Sequence, residues 1–161
     1  MKTSSIDEDV LFAAAFLHDI GVFNPYAIEG AEHFKTASDN ISSILSSTGF
    51  PMDKVNDVKA VIMSHMFYSK VSNSEIARVF HDADTLDFLE NIGIARIMSV
   101  TTRHRWATDL PTALKKIEKF NLELPEKLIF NSSKEIARNR TKEATIFIQN
   151  LKSESKDGLA L

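Results

Sequence analysis

His18 and Asp19 stand side by side at the end of the apolar run Ala14-Ala15-Phe16-Leu17, just before Ile20-Gly21. Burying two such polar groups among apolar neighbours is costly unless a partner satisfies them. An imidazole nitrogen and a carboxylate oxygen together suit divalent zinc, manganese, iron, cobalt or nickel. Further donors of the same kind follow in His33, His65 and the segment His81-Asp82-Ala83-Asp84. A fold for this chain must bring these distant segments to the end of one helix. The pattern therefore predicts a metal site assembled from several helices.

The remaining pattern is helical throughout. Asp7 to Ile20 reads as a first helix, with acidic residues at its positive end and Val10, Leu11, Ala14, Leu17 and His18 on one face. Gly21 is read as its stop, and Val22 to Gly30, with Asn24-Pro25, as a loop. A second helix is expected from Gly30 or Ala31 to Ser47, with Ala37, Ile41, Ile44 and Leu45 inward. A third is expected from Met52 to His65, with Val55, Val58 and Ile62 inward. Asn73 or Ser74 caps a long fourth helix carrying Ile76, Val79, Phe80, Ala83, Leu86, Ile94 and Ile97, with Gly93 inside it. Thr101 to Leu110 reads as irregular. Pro111 opens a fifth helix over Thr112 to Phe120, and Leu124 to Phe130 adds a short turn or helix. Ser132 or Ser133 starts a last amphipathic helix to Lys152, and the tail from Ser153 to Leu161 is expected to be disordered. Strand alternation is absent, as are repeats and linkers. One all-α domain of about five to seven helices, spanning residues 7–152, is the expected fold.

Composition excludes several function classes. The 161 residues can enclose one real core, and 43% apolar with 25% charged residues is ordinary for a soluble globular protein. A net charge of −3 provides no basic field for general nucleic-acid binding. The late lysines and arginines are interleaved with glutamates, as on solvated helix faces. The lack of cysteine removes disulfides, thiolate metal sites and cysteine nucleophiles. No run is apolar and long enough for a membrane span, and the start lacks the apolar core of a signal peptide. A cytoplasmic location is the default expectation.

Leu17-His18-Asp19-Ile20-Gly21, His33, His65 and Asp82-Ala83-Asp84-Thr85-Leu86-Asp87 resemble the HD-domain superfamily of metal-dependent phosphohydrolases. Gly93-Ile94-Ala95-Arg96, and further on Ala113-Leu114, Glu126-Lys127-Leu128, Ala137-Arg138 and Arg140, are similar to a subgroup of small bacterial HD proteins. The resemblance implies a helical fold in which histidines, the His-Asp pair and a distant aspartate hold a divalent metal, one of manganese, iron, nickel, cobalt, zinc or magnesium. Such an ion polarises phosphate and activates water. His18 and Asp19 match ligand positions, with Asp19 the catalytic centre. The family's second aspartate precedes a variable residue and a leucine, which matches Asp84-Thr85-Leu86. Helix geometry agrees that only one aspartate can serve, because residues two apart point to opposite sides. His33 and His65 match positions that supply a second metal or phosphate contacts. The family pattern also carries a metal-binding histidine about one helix upstream of its His-Asp pair, and this chain has no histidine before His18. A coordination position would then fall to water or to a donor from a neighbouring chain, as in a homodimer.

The expected activity is hydrolysis of a phosphate ester or anhydride in a small molecule, nucleotides being a fitting class. Two alternatives stand beside it: a weak or inactive HD domain that binds a nucleotide or a partner, and a di-iron oxygenase of the same fold. His81 and His104 are read as surface residues. Arg96 and Arg103 are read as pairing with nearby acids rather than holding substrate phosphate.

Overall fold

The computed structural model describes residues 6–100 and 107–156. These form seven α-helices and no strand: α1 (Glu8–Leu17), α2 (His33–Ser46), α3 (Val55–Ser64), α4 (Glu75–Leu86), α5 (Glu90–Val100), α6 (Leu110–Glu123) and α7 (Asn131–Glu154). Short 3₁₀ turns cover Ile20–Val22, Met52–Lys54 and Leu124–Lys127. The fold class is thus the expected all-α one. No helix among the described residues is long and apolar enough to cross a membrane. Arg103, His104 and most of the expected irregular segment lie outside the described residues, as does the end of the tail from residue 157. The tail's first residues continue in order: α7 runs to Glu154, and Ser155 Oγ donates to the Leu151 carbonyl at 2.6 Å.

The chain forms two compact units, Met1–His81 and Asp82–Leu161, and the boundary falls within α4. The first unit is built on α1, α2 and α3. Asp7 caps α1 by accepting from the Asp9 and Val10 N–H groups at 3.1 and 3.2 Å, which satisfies donors that no helical carbonyl can reach. Lys54 Nζ, just before α3, bonds the same Asp7 and also Asp9 at 2.8 Å, tying the starts of the two helices together. The apolar stripes meet in a core that includes Val10, Ala14, Phe34, Ala37, Ile41, Leu45, Val58, Ile62 and Phe80. Full burial of an aliphatic or aromatic side chain is worth about 1.5–3 kcal/mol each. Leu11, Leu17, Ile44 and Val79 share the predicted stripes but are only half-buried at the core's margin.

The second unit packs α5, α6 and α7, with Leu89, Ile94, Ile97, Leu114, Ile117, Phe120, Leu124 and Ile148 buried. The long fourth helix expected from the pattern is two helices here. The chain turns over Asp87 to Leu89, and Glu90 takes a φ of 71°. Gly93 permits the turn: a Cβ there would meet the Phe88 carbonyl carbon and oxygen at 2.4 Å. Arg140 of α7 holds the break from outside, donating from Nη1 to the Leu86 carbonyl at 2.8 Å and pairing through Nε with Glu90 at 3.0 Å. An apolar period that continues across a turn cannot reveal the turn. The glycine was the visible signal, and its meaning was close packing.

Candidate metal centre

The site is made where α1, α2 and α3 begin or end. The α-helical run of α1 stops at Leu17, so His18 is its C-cap and Asp19 takes φ −98° and ψ 5°, outside the helical basin. This turns the Asp19 side chain out of the α1 register. The 3₁₀ turn over Ile20–Val22 then lies against the first turn of α2. Gly21 is buried there, and a Cβ on it would come within 2.1 Å of the His33 carbonyl oxygen and 2.2 Å of Thr36 Oγ1. Gly21 is therefore not a helix-stop device, as the sequence suggested. It is the residue that lets α2 approach closely enough for His33, at that helix's start, to reach Asp19.

His33 Nε2 lies 3.3 Å from Asp19 Oδ1, and His18 Nε2 lies 3.4 Å from Asp19 Oδ2. His65, the C-cap of α3, is 1% exposed, and its Nε2 lies 3.3 Å from His33 Nε2. The tautomers follow from what the other ring nitrogens meet. His18 Nδ1 donates to the Ala15 carbonyl at 3.0 Å, and His65 Nδ1 donates to the Ile62 carbonyl at 2.6 Å. A carbonyl can only accept, so both protons sit on Nδ1 and both Nε2 atoms face inward. The Phe80 ring, edge-on to His18 and His65 with centroids 5.4 and 6.4 Å away, fills the apolar side.

Electrostatics match this arrangement. Burial pushes the His65 imidazole down to about 4, with the Ile62 carbonyl opposing and the neighbouring histidines assisting. His65 is thus neutral near pH 7, with an available Nε2 lone pair. For Asp19, burial pulls the carboxyl up, but the His18 and His33 rings, when they carry a proton on the Nε2 that faces it, outweigh burial and hold the carboxyl well below the usual carboxylate range. The Asp19 side chain is 54% exposed, so the centre opens to solvent on this side. At the rim, Tyr68 donates to Glu32 Oε2 at 3.1 Å, and burial together with the Glu32 charge pushes its phenol up to about 12.

This donor set fits a divalent metal. The ligand atoms of His18, Asp19 and His65 all lie within 4.8 Å of one another. Four ligands about 2.1 Å from one ion stand about 3.4 Å apart, which is the separation of His18 Nε2 and Asp19 Oδ2. Backbone carbonyls on the far side of each imidazole are the usual means of orienting metal-binding histidines.

Of the five residues singled out from the sequence, His18, Asp19, His33 and His65 come together within the first unit. Asp84 lies on α4 in the second unit, half-buried, with its Oδ2 atom buried. Asp82 has another task. It is 2% exposed and accepts from Ile129 N at 2.9 Å and from Phe130 N at 2.9 Å, capping the start of α7 with a carboxylate. Both of its oxygens are committed. His81, expected on the surface, is 2% exposed and donates from Nδ1 to the Ser64 carbonyl at 3.1 Å. Helical phase explains the correction: His81 follows Phe80 and Ala77 on the buried side of α4. Arg96 pairs with Asp87 at 2.8 Å, as expected of an exposed arginine near an acid. Neither the Asp82 cap nor the His81 bond had a sequence signal, because their partners lie far away in the chain.

A family model described as HD domain matches residues 1–89. No curated protein matches the sequence.

Proposed function

Since the chain belongs to the HD-domain family, we propose that it hydrolyses a phosphate ester or anhydride in a small molecule, a nucleotide being a fitting class, with a divalent metal at His18, Asp19 and His65. His33 serves a second ion or the substrate phosphate in this reading. The observation that carries the proposal is the convergence of ligand atoms of His18, Asp19 and His65, with both imidazoles held by backbone carbonyls at Nδ1.

A divalent ion in this place supplies positive charge to phosphoryl oxygens and makes the attacking water more acidic. The chain's own residues prepare the rest. Asp19 stays ionised across the neutral range and offers its second oxygen to His33. His33, half-buried, can hold a proton at Nε2 between Asp19 and His65 and release it to a leaving oxygen. His65 and Phe80 keep water from the apolar side, while the exposed edge of Asp19 leaves room for a phosphate to enter.

Metal analysis of the purified chain, joined to a phosphatase screen with and without added Mn²⁺, tests the proposal. Metal-dependent turnover of at least one phosphorylated compound is expected. Asp19→Ala should lose turnover to the detection limit while keeping its helical circular dichroism. A wild-type chain that takes up no divalent ion, or an Asp19→Ala variant that turns over as fast as wild type, overturns the reading.

A further inference from the structure

We propose that His81 is a positioning residue for the metal centre: its Nδ1–H holds the Ser64 carbonyl and so fixes the helix end from which His65 projects. The inference rests on the metal-centre reading above. Ser64 is the last residue of α3, and its carbonyl lies in the final turn, beyond reach of the helix's own N–H groups. Ser64 is also buried, at 4% exposure, where a carbonyl without a donor is costly. His81 delivers that donor from α4, with its Nδ1 3.1 Å from the Ser64 oxygen.

The peptide plane that carries the Ser64 carbonyl also carries the His65 nitrogen. Turning this carbonyl would turn the backbone from which the His65 ring extends. The ring itself is held by its own bond to the Ile62 carbonyl at 2.6 Å. His65 is thus fixed twice, once at the ring and once at the backbone. Ser72 N pins the same serine by donating to its Oγ at 3.1 Å. Phe80, the residue before His81, sets its ring edge against both His18 and His65. Two consecutive residues of α4 therefore brace the centre, one through packing and one through the carbonyl. His81 belongs to no group of ligand atoms found among the described residues, so its effect passes through His65.

Zinc binding to the full chain, measured by titration calorimetry, tests this with His81→Leu and His81→Asn. Leucine removes the donor and keeps an apolar side chain. Asparagine can place an amide N–H near the position of Nδ1. His81→Leu should bind zinc about 10- to 100-fold more weakly, as when an outer hydrogen bond to a ligand is lost. His81→Asn should recover most of that loss. Wild type binding zinc with His81→Leu equal to it overturns the positioning role alone. The same holds if His81→Asn is as weak as His81→Leu. Wild type taking up no zinc overturns the metal-centre reading, and this inference with it. If His81→Leu does not fold, ¹⁵N NMR of the wild-type imidazoles decides. A proton on His81 Nδ1 before and after zinc, with zinc shifts at His18 and His65 Nε2, supports the role. A proton on His81 Nε2, or zinc ligation by His81 itself, overturns it.

Discussion

His81 and Asp82 are neighbours on one helix, and each is 2% exposed, yet the two halves of the chain treat their buried polar groups differently. In the first unit, the buried or half-buried imidazoles of His65 and His18 spend one nitrogen on a nearby backbone carbonyl and turn the other inward, His18 towards Asp19 and His65 towards His33. Donor capacity remains and converges. In the second unit, the Asp82 carboxylate is closed, with both oxygens accepting from the N–H groups at the start of α7. The guanidinium of Arg140 is similarly occupied by the Leu86 carbonyl and Glu90. Burial alone does not separate a site from a structural bond. What separates them is whether lone pairs are left over and where they point.

The largest effect expected from disturbing the first pattern is at Gly21. Gly21→Ala drives a Cβ into the His33 carbonyl and Thr36 Oγ1, and backbone cannot yield as a side chain can. A loss of about 3 kcal/mol or more is expected in a denaturant melt, at the upper end for overpacking, together with weaker metal uptake. An alanine variant as stable as wild type would show that α2 does not need this approach.

Acid should act on the same region through His65. Its folded value of about 4 lies below the ordinary histidine value, so the unfolded chain takes up the proton first as pH falls. Stability of the metal-free protein is then full above about pH 6.5 and declines towards pH 4, by roughly 3 kcal/mol in all. Asp19 adds a further decline below the ordinary carboxylate value, because its folded carboxyl is held lower still. Melts at stepped pH check this, and His65→Gln should remove the first decline while leaving the second.

Asp82→Ala tests the closed pattern. It leaves the N–H groups of Ile129 and Phe130 without their acceptor and should cost about 2 kcal/mol. Hydrogen exchange at Ile129 and Phe130 should rise in step. Unchanged protection there would mean that other groups cap α7. Arg96→Ala sets the lower limit. Its ion pair with Asp87 joins side chains 65% and 54% exposed, so a change below about 0.5 kcal/mol is expected. A loss of 1 kcal/mol or more would assign the pair a role beyond a screened surface contact.

Much of the architecture could be read from apolar spacing. The stripes Ala37-Ile41-Leu45 and Val55-Val58-Ile62 are buried on the faces where the period placed them. Helix ends were less legible, since α1 stops before Ile20 and the expected fourth helix turns after Leu86. Those boundaries depend on tertiary partners: the start of α2 against Gly21, and the Phe88 backbone and Arg140 at the second turn. The ligand types could also be read, because His18-Asp19 beside apolar residues demands a partner. The separate tasks of His81 and Asp82 could not, since each depends on a backbone group many residues away.

The order of residues by itself determined the helical class, the apolar faces and the presence of a His-Asp pair at a helix end, because these follow from local periodicity and side-chain chemistry. Only the tertiary structure decided which nitrogen of each histidine faces the centre, how closely α2 approaches Gly21, and that Asp82 closes on α7. Those outcomes depend on which carbonyls and N–H groups long-range packing brings within hydrogen-bonding distance, and no local pattern in the chain encodes that.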